Sequence, residues 1–274
     1  MDYCFDLADV QQWAEFSGDY NPIHFSLDDA RLAGMDELIL HGMLALLPVK
    51  QEVSRSQKLR TDHSVSDLNV KGCDWSRFRA LFRQPIPHGR RINIEQRGLD
   101  AGVNFKVCAQ DTREEHFRGS LLGVESMHGD YRSHDFEFHT ELLASEAEKF
   151  FQLYPAIQET WIALDAVVFA SFMQSKLSIL EDIAQVKMFE LHGPKKRNKV
   201  VVQLSHTVSF DTRFFSNQNR DEIDWSGFSY AMALPSMVAS EHQLAGTVLL
   251  PVVHADRLVM MIEIGLVAKF DQLN

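Results

Sequence analysis

Hydrophobic and polar positions recur with two different periods along this 274-residue chain, and a helical period gives way to a strand period twice in the same order. In LADVQQWAEF (7–16), Leu7, Val10, Trp13 and Ala14 fall roughly on one face of a helix. FSGDYNPIH (16–24) follows, with Gly-Asp and Asn-Pro as turn-formers. A second short helix is expected near 27–33, where Asp28 and Asp29 favour the first turn and Gly34 ends it. HGMLALLPVKQEVS (41–54) is a very apolar helical start, but Pro48 removes one backbone donor and should kink a helix there. From about 75 to 126 the period drops to two. RFRALFR alternates large apolar and basic residues, PIPHG is a turn, and RINIEQRGL, NFKVCAQDT and HFRGSLLGVE have strand length.

After the polar turn SMHGDYRSHD (126–135) the order recurs. An amphipathic helix is predicted at 141–152 and a long, strongly apolar one at 157–182. The loop HGPKKRNK (192–199) leads into VVVQLSHTVSF, and WSGFSYAMALPSMVA, TVLLPVVH and RLVMMIEIGLVAKF complete a second strand-rich run. The class is therefore α+β, in two structural units of the same kind, 1–128 and 129–274. Residue identity between the halves is weak, so the repeat rests on the order of elements.

A net charge of −11 argues against a nucleic-acid-binding surface covering the whole protein. Cys4, Cys73 and Cys108 are odd in number and lack metal-ligand spacing, which fits free thiols in a reducing compartment. The acidic N-terminus does not read as a signal peptide, and no apolar run approaches a membrane span of about 18 residues. A soluble, cytoplasmic protein is the expectation.

Asp19 and His24 lie five apart across Tyr-Asn-Pro-Ile. Pro22 fixes one φ angle and pushes Asn21 towards an extended conformation, so the turn should be stiff. A stiff turn can hold a carboxylate and an imidazole at a set separation, as general acid–base catalysis requires. The plainer alternative is an Asx turn in which Asp19 and Asn21 cap the backbone and His24 opens the next element.

AEFSGDYNPIHFSLDDARLAGMDELILHGML (14–44) resembles the signature of the MaoC-like, R-specific enoyl-thioester hydratases and dehydratases of the hot-dog superfamily. Ala14, Ser17, Gly18, Asp19, Asn21, Pro22, Ile23, His24, His41, Gly42 and Met43 match in order, and RFRALFRQPIPHGRRINIEQ (77–96) looks like the family's strand, turn and following strand. The likeness covers residues about 5–126. It implies a hot-dog fold, an antiparallel sheet wrapped around a central helix, here doubled. It also implies reversible dehydration of a 3-hydroxyacyl thioester to a trans-2-enoyl thioester, with no metal and no redox cofactor. Asp19 and His24 would activate the water and shuttle the C2 proton, in roles the sequence does not divide between them. Gly42, at the central helix N-terminus, would let the thioester carbonyl approach unpaired amides, with Asn21 and His41 in support. Pro48 departs from the smoother helix of that family and leaves the acyl length open.

Arg77, Arg79, Arg83, Arg90, Arg91 and Arg97 concentrate positive charge in an acidic protein. They read either as a solvated strand face or as a patch for the phosphates of CoA or for an acidic acyl carrier protein. PKKRNK (194–199) reads as an exposed loop. The second half has no S-G-D-x-N-P-x-H; its nearest pairings are His206 with Asp211 and His254 with Asp256, neither in a stiff frame. It would be a degenerate unit whose helix 157–182 lies under its own sheet, pairing with the first unit within one chain, and a homodimer of such double units is the expected assembly. Two other readings stay open: a hot-dog thioesterase, and a non-catalytic acyl-thioester-binding or partner protein.

Overall fold

The computed structural model describes residues 2–63, 73–125, 136–175, 178, 199–216, 223–240 and 243–270. Helix α1 (Leu7–Ser17) starts at Asp6, whose carboxylate accepts from the Ala8 and Asp9 amides while the Asp9 carboxylate accepts from the Asp6 amide. That capping box satisfies donors an isolated helix end would leave bare. The helix stops at Gly18, whose φ of 74° is left-handed and whose N–H returns to the Ala14 carbonyl. Val10, Trp13 and Ala14 are buried, joined by Phe16 and Ser17, but Leu7 is exposed. At about 100° per residue Leu7 falls on the rim of the arc that those five define.

Helix α2 (Leu27–Leu32) is capped by Ser26, and Gly34 just beyond it takes a φ of 81°. Helix α3 (Gly42–His63) holds Pro48 in its interior, and the chain stays helical to His63. Only one ladder bond is removed, and an apolar flank of Met43, Leu44, Leu46, Leu47, Val49 and Val53 buries the helix on the sheet. The strands are β1 (Asp2–Tyr3), β2 (Trp75–Phe82), β3 (Ile92–Leu99), β4 (Gly102–Ala109) and β5 (Glu115–Val124). The second half adds β6 (Phe136–Glu141), α4 (Ala144–Leu153), α5 (Thr160–Ser175), β7 (Lys199–Asp211), β8 (Phe228–Ala239), β9 (Gln243–His254) and β10 (Arg257–Phe270). The polar turn 126–135, the loop residues 192–198, and the predicted helix beyond Ser175, apart from Ser178, lie outside the described residues.

Among the described residues, ten strands form one antiparallel sheet in the order β1-β3-β4-β5-β2-β7-β10-β9-β8-β6. The order is the same read outward from the centre in either direction. The first strand after each long helix, β2 or β7, lies at the middle and pairs with the last strand of its half, β5 or β10. The strand preceding the helices, β1 or β6, closes the outer edge. β2 and β7 join the halves from Trp75 opposite Asp211 to Leu81 opposite Ser205. A long helix against an antiparallel sheet is the α+β, hot-dog arrangement expected. α5 is buried on every side from Thr160 to Phe172, as an all-round apolar helix must be. One continuous core spans both halves, and aromatic stacks such as Phe78 on Phe105 and Trp161 on Phe210 lie within it.

Candidate active site

Beside the C-terminal cap of α1, Asn21 fixes the loop in three directions. Its Oδ1 accepts from the Ile23 amide at the start of the short 3-10 helix Pro22–His24. Its own amide N–H donates to an Asp19 carboxylate oxygen at 3.3 Å. Its Nδ2 donates to the Val201 carbonyl of β7 at 2.8 Å, tying the loop to the other half. With ψ at 122° Asn21 is extended, as a residue before proline should be. Gly18 has no alternative here, since a Cβ would stand 2.5 Å from Cγ of Gln174, whose Nε2 donates to the Phe16 carbonyl.

Asp19, His24 and His41 converge, each presenting a carboxylate oxygen or ring nitrogen within 4.8 Å of the others. The Nδ1 of buried His24 lies 2.8 Å from the Ile39 carbonyl. A carbonyl only accepts, so Nδ1 carries the hydrogen and Nε2 keeps its lone pair. His41 is turned the other way: its Nε2 donates to the backbone carbonyl of Asp19 at 2.9 Å, and its Nδ1 is buried without a partner among the described residues. The two rings stack with centroids 3.7 Å apart. Burial lowers His24 from 6.5 to about 4, against the opposing Ile39 bond. Burial, helped by the nearby His24, lowers His41 to about 3. Burial also raises Asp19 from 3.8 to about 6, against the opposing Asn21 amide. Two neutral bases thus stand beside a carboxyl that keeps a proton unusually late.

Asp19 and His24 border a pocket of about 520 Å³, whose wall includes Gly18–His24, Gly42 and Met43 from the first half. Phe82–Ile86 and Phe117 extend that wall, and the second half supplies Phe169, Phe172 and Met173 of α5, Val201–Leu204 of β7, and Ile264 and Leu266 of β10. Apart from the acid–base loop it is mainly apolar, which suits an alkyl chain. Gly42 is the first residue of α3, so its amide has no acceptor within the helix. A Cβ there would stand 3.0 Å from two atoms of the Phe82 ring. The sequence had assigned that glycine to substrate approach; in the fold it first makes room for Phe82.

The arginines occupy several settings. Arg77 and Arg79 alternate on the outer face of β2, Arg77 donating to Ser209 Oγ at 3.0 Å. Arg83, past the end of β2, pairs with Glu115 at 2.9 Å and also borders the pocket. Arg90 pairs with Asp111 at 2.8 Å, and Arg91 is exposed. In the second half His206 pairs with Asp165 rather than Asp211, which holds Arg257 instead. His254 packs against the rings of Phe214 and Phe228, and Asp256 occupies a hairpin at φ 62°.

Residues 3–59 match the family model described as MaoC like domain. That segment holds Asp19, Asn21, His24, His41 and Gly42, together with the α3 N-terminus. A 40-residue stretch is 45% identical to a protein named 3-hydroxyacyl-[acyl-carrier-protein] dehydratase, mitochondrial, of Arabidopsis thaliana, covering 15% of this chain and 24% of that relative. Among solved structures, one named MaoC-like dehydratase is 11% identical, with a TM-score of 0.46, over 96% of this chain and 94% of that one. The dehydratase domain of PpsC from Mycobacterium tuberculosis, in complex with C12:1-CoA, is 10% identical over 86% of each chain, with a TM-score of 0.40. No helix among the described residues, MaoC-like segment included, is long and apolar enough to cross a membrane.

Sequence reasoning missed Ile39, which sets the His24 tautomer, and the buried partners Lys50 and Asp165. The latter two did leave a signal: each is the lone charge in an apolar helical run, LALLPVKQ and WIALDAVVFA. Such a charge is rarely buried without a partner.

Proposed function

We propose that the protein is a double hot-dog hydro-lyase that interconverts a 3-hydroxyacyl thioester and its trans-2-enoyl thioester. The observation that carries this reading is the convergence of Asp19 and His24 within 4.8 Å on an apolar pocket. In dehydration, His24 Nε2 takes the C2 proton, and the developing enolate oxygen is met by the amides at the α3 N-terminus. The carboxyl of Asp19 gives its proton to the departing 3-hydroxyl, which leaves as water. A proton passing from His24 back to Asp19 resets the pair, and hydration is the same path reversed. His41 and Asn21 position the loop, the one through the Asp19 carbonyl and the other through Val201.

The mirrored strand order about β2 and β7 supports the double unit, with 1–128 holding the acid–base loop and 129–274 supplying the opposing pocket wall. The thioester is borne by CoA or by an acyl carrier protein, with Arg83 nearest the pocket among the arginines considered. The expected compartment is the cytoplasm. The test is loss of enoyl absorbance on hydration of crotonyl and longer enoyl thioesters, with CoA and carrier-protein substrates compared. Release of free thiol with the double bond intact would replace this reading with thioester hydrolysis. Tight binding without either reaction would make the protein an acyl-thioester binder.

A further inference from the structure

Strand β7 contains one residue too many. Opposite β10, His206 faces Ile264, Ser205 faces Gly265 and Gln203 faces Leu266, so Leu204 is left over as a bulge and is exposed. In a regular strand, residues three apart point to opposite faces. The bulge returns Gln203 to the face of His206, and its Nε2 lies 3.3 Å from His206 Nδ1. The same nitrogen lies 3.4 Å from the Ser205 carbonyl and 3.9 Å from Met43 Sδ, both of which can only accept. That end of the amide is therefore the NH₂.

The orientation is set from behind. His206 Nε2 lies 2.9 and 3.1 Å from the two oxygens of Asp165, so it carries the ring hydrogen and leaves Nδ1 to accept from Gln203. Asp165 in turn holds Lys50 of α3, and all three side chains are fully buried. A buried charged chain is no cheaper for the fold than apolar residues of the same volume, so stability alone does not account for it. What it does achieve is to hold one amide facing a single way. The remaining end, Oε1, makes no hydrogen bond among the described residues. It lies 3.6 Å from where a Cβ of Gly42 would be, and Gln203 borders the pocket.

We propose that Gln203 is a substrate-binding residue whose Oε1 accepts a hydrogen bond from the 3-hydroxyl of a 3-hydroxyacyl thioester, and that Lys50, Asp165 and His206 position it. The inference rests on the thioester reading above. The 3-hydroxyl oxygen is three bonds from the thioester carbonyl carbon, so a carbonyl docked at Gly42 brings that hydroxyl within reach of this wall. The second half then supplies the group that distinguishes hydroxylated from saturated acyl chains.

The experiment is calorimetric binding of 3-hydroxybutyryl-CoA and butyryl-CoA to full-length Asp19→Asn protein, in which turnover is blocked. The hydroxylated ligand should bind about tenfold tighter, the worth of one hydrogen bond. Gln203→Leu should abolish that preference while leaving butyryl-CoA affinity within about twofold. His206→Phe should weaken the preference alone but add nothing to Gln203→Leu, a non-additivity that a merely structural His206 would not give. Melting curves report whether each variant folds, and Gln203→Leu alone decides the matter if His206→Phe does not. An undiminished preference in Gln203→Leu, or no preference in its parent, overturns the inference. A preference that depends on Gln203 in a protein whose wild type hydrates no enoyl thioester overturns the proposed reaction and leaves the acceptor role standing.

Discussion

Asp19→Asn separates the chemistry of the acid–base loop from its stability. Burial raises the Asp19 carboxyl from 3.8 to about 6, so above that pH the fold holds a carboxylate it would rather protonate. A rise of that size corresponds to about 3 kcal/mol, and roughly 1–2 kcal/mol after allowing for its half-buried setting. The sign follows from linkage. The folded state binds the proton more tightly than the unfolded one, so the cost is absent below pH 3.8, grows as pH rises through about 6, and is complete at neutral pH. Asparagine mimics the protonated acid at every pH, and its side-chain carbonyl can still accept from the Asn21 amide. Asp19→Asn should therefore melt roughly 2–6 °C above wild type at pH 7.5 and level with it near pH 3.8. The same substitution should abolish hydration of enoyl thioesters. Calorimetric melts across this range, paired with the absorbance assay, check both halves. A variant that melts lower than wild type at neutral pH, or keeps near-full activity, would refute the reasoning.

His24→Ala should be inactive yet folded, by the same assay and by circular dichroism. The active pair carries one proton, so kcat/KM should follow a bell with limbs near 4 and 6, falling tenfold per pH unit above the upper one; a plateau to pH 8 would contradict it. Asn21→Ala removes the bond to Val201 and the cap on Ile23, and urea titration should register a loss of about 1–2 kcal/mol with lowered kcat. Gly42→Ala pushes a methyl against Phe82; kcat/KM should drop about tenfold, and Phe82→Leu in the same chain should recover most of it. Lys50→Met alone leaves the buried Asp165 carboxylate with no cation and only the His206 ring N–H, and should cost about 3–5 kcal/mol in denaturant melts, more than Lys50→Met with Asp165→Leu.

Local signals carried far along this chain. The period-two runs became β2 to β5 and β7 to β10, and the loop at 18–24 has the extended Asn21 that Pro22 demands. Short pieces escaped: β1 is two residues long, and the helix Thr212–Ser216 five, too brief to show a period. Pro48 does not end α3, because a proline rule is local whereas the helix is held by tertiary burial. Asp19 and His24 were visible because their separation is set within one stiff turn. Gln203 and the Lys50–Asp165–His206 chain were not, since strand register and a bulge bring together residues up to 156 apart in sequence, His206 and Lys50. For the arginines, spacing gives the face that Arg77 and Arg79 share, but the acids that pair with Arg83 and Arg90 come from other strands and loops.

The pocket draws its reactive groups from one half and much of its hydrocarbon wall from the other, across the β2–β7 seam. Mutations can therefore act on two separate subjects. Changes at Phe169, Phe172, Met173 or Ile264 resize the chamber without touching the loop that holds Asp19 and His24. If the proposed reaction holds, a lineage could retune which molecules it admits while the chemistry stays constant, and a protein engineer can take the same route. On the proposed reading, the half that lacks an acid–base loop governs which substrate enters and the half that has one governs what happens to it.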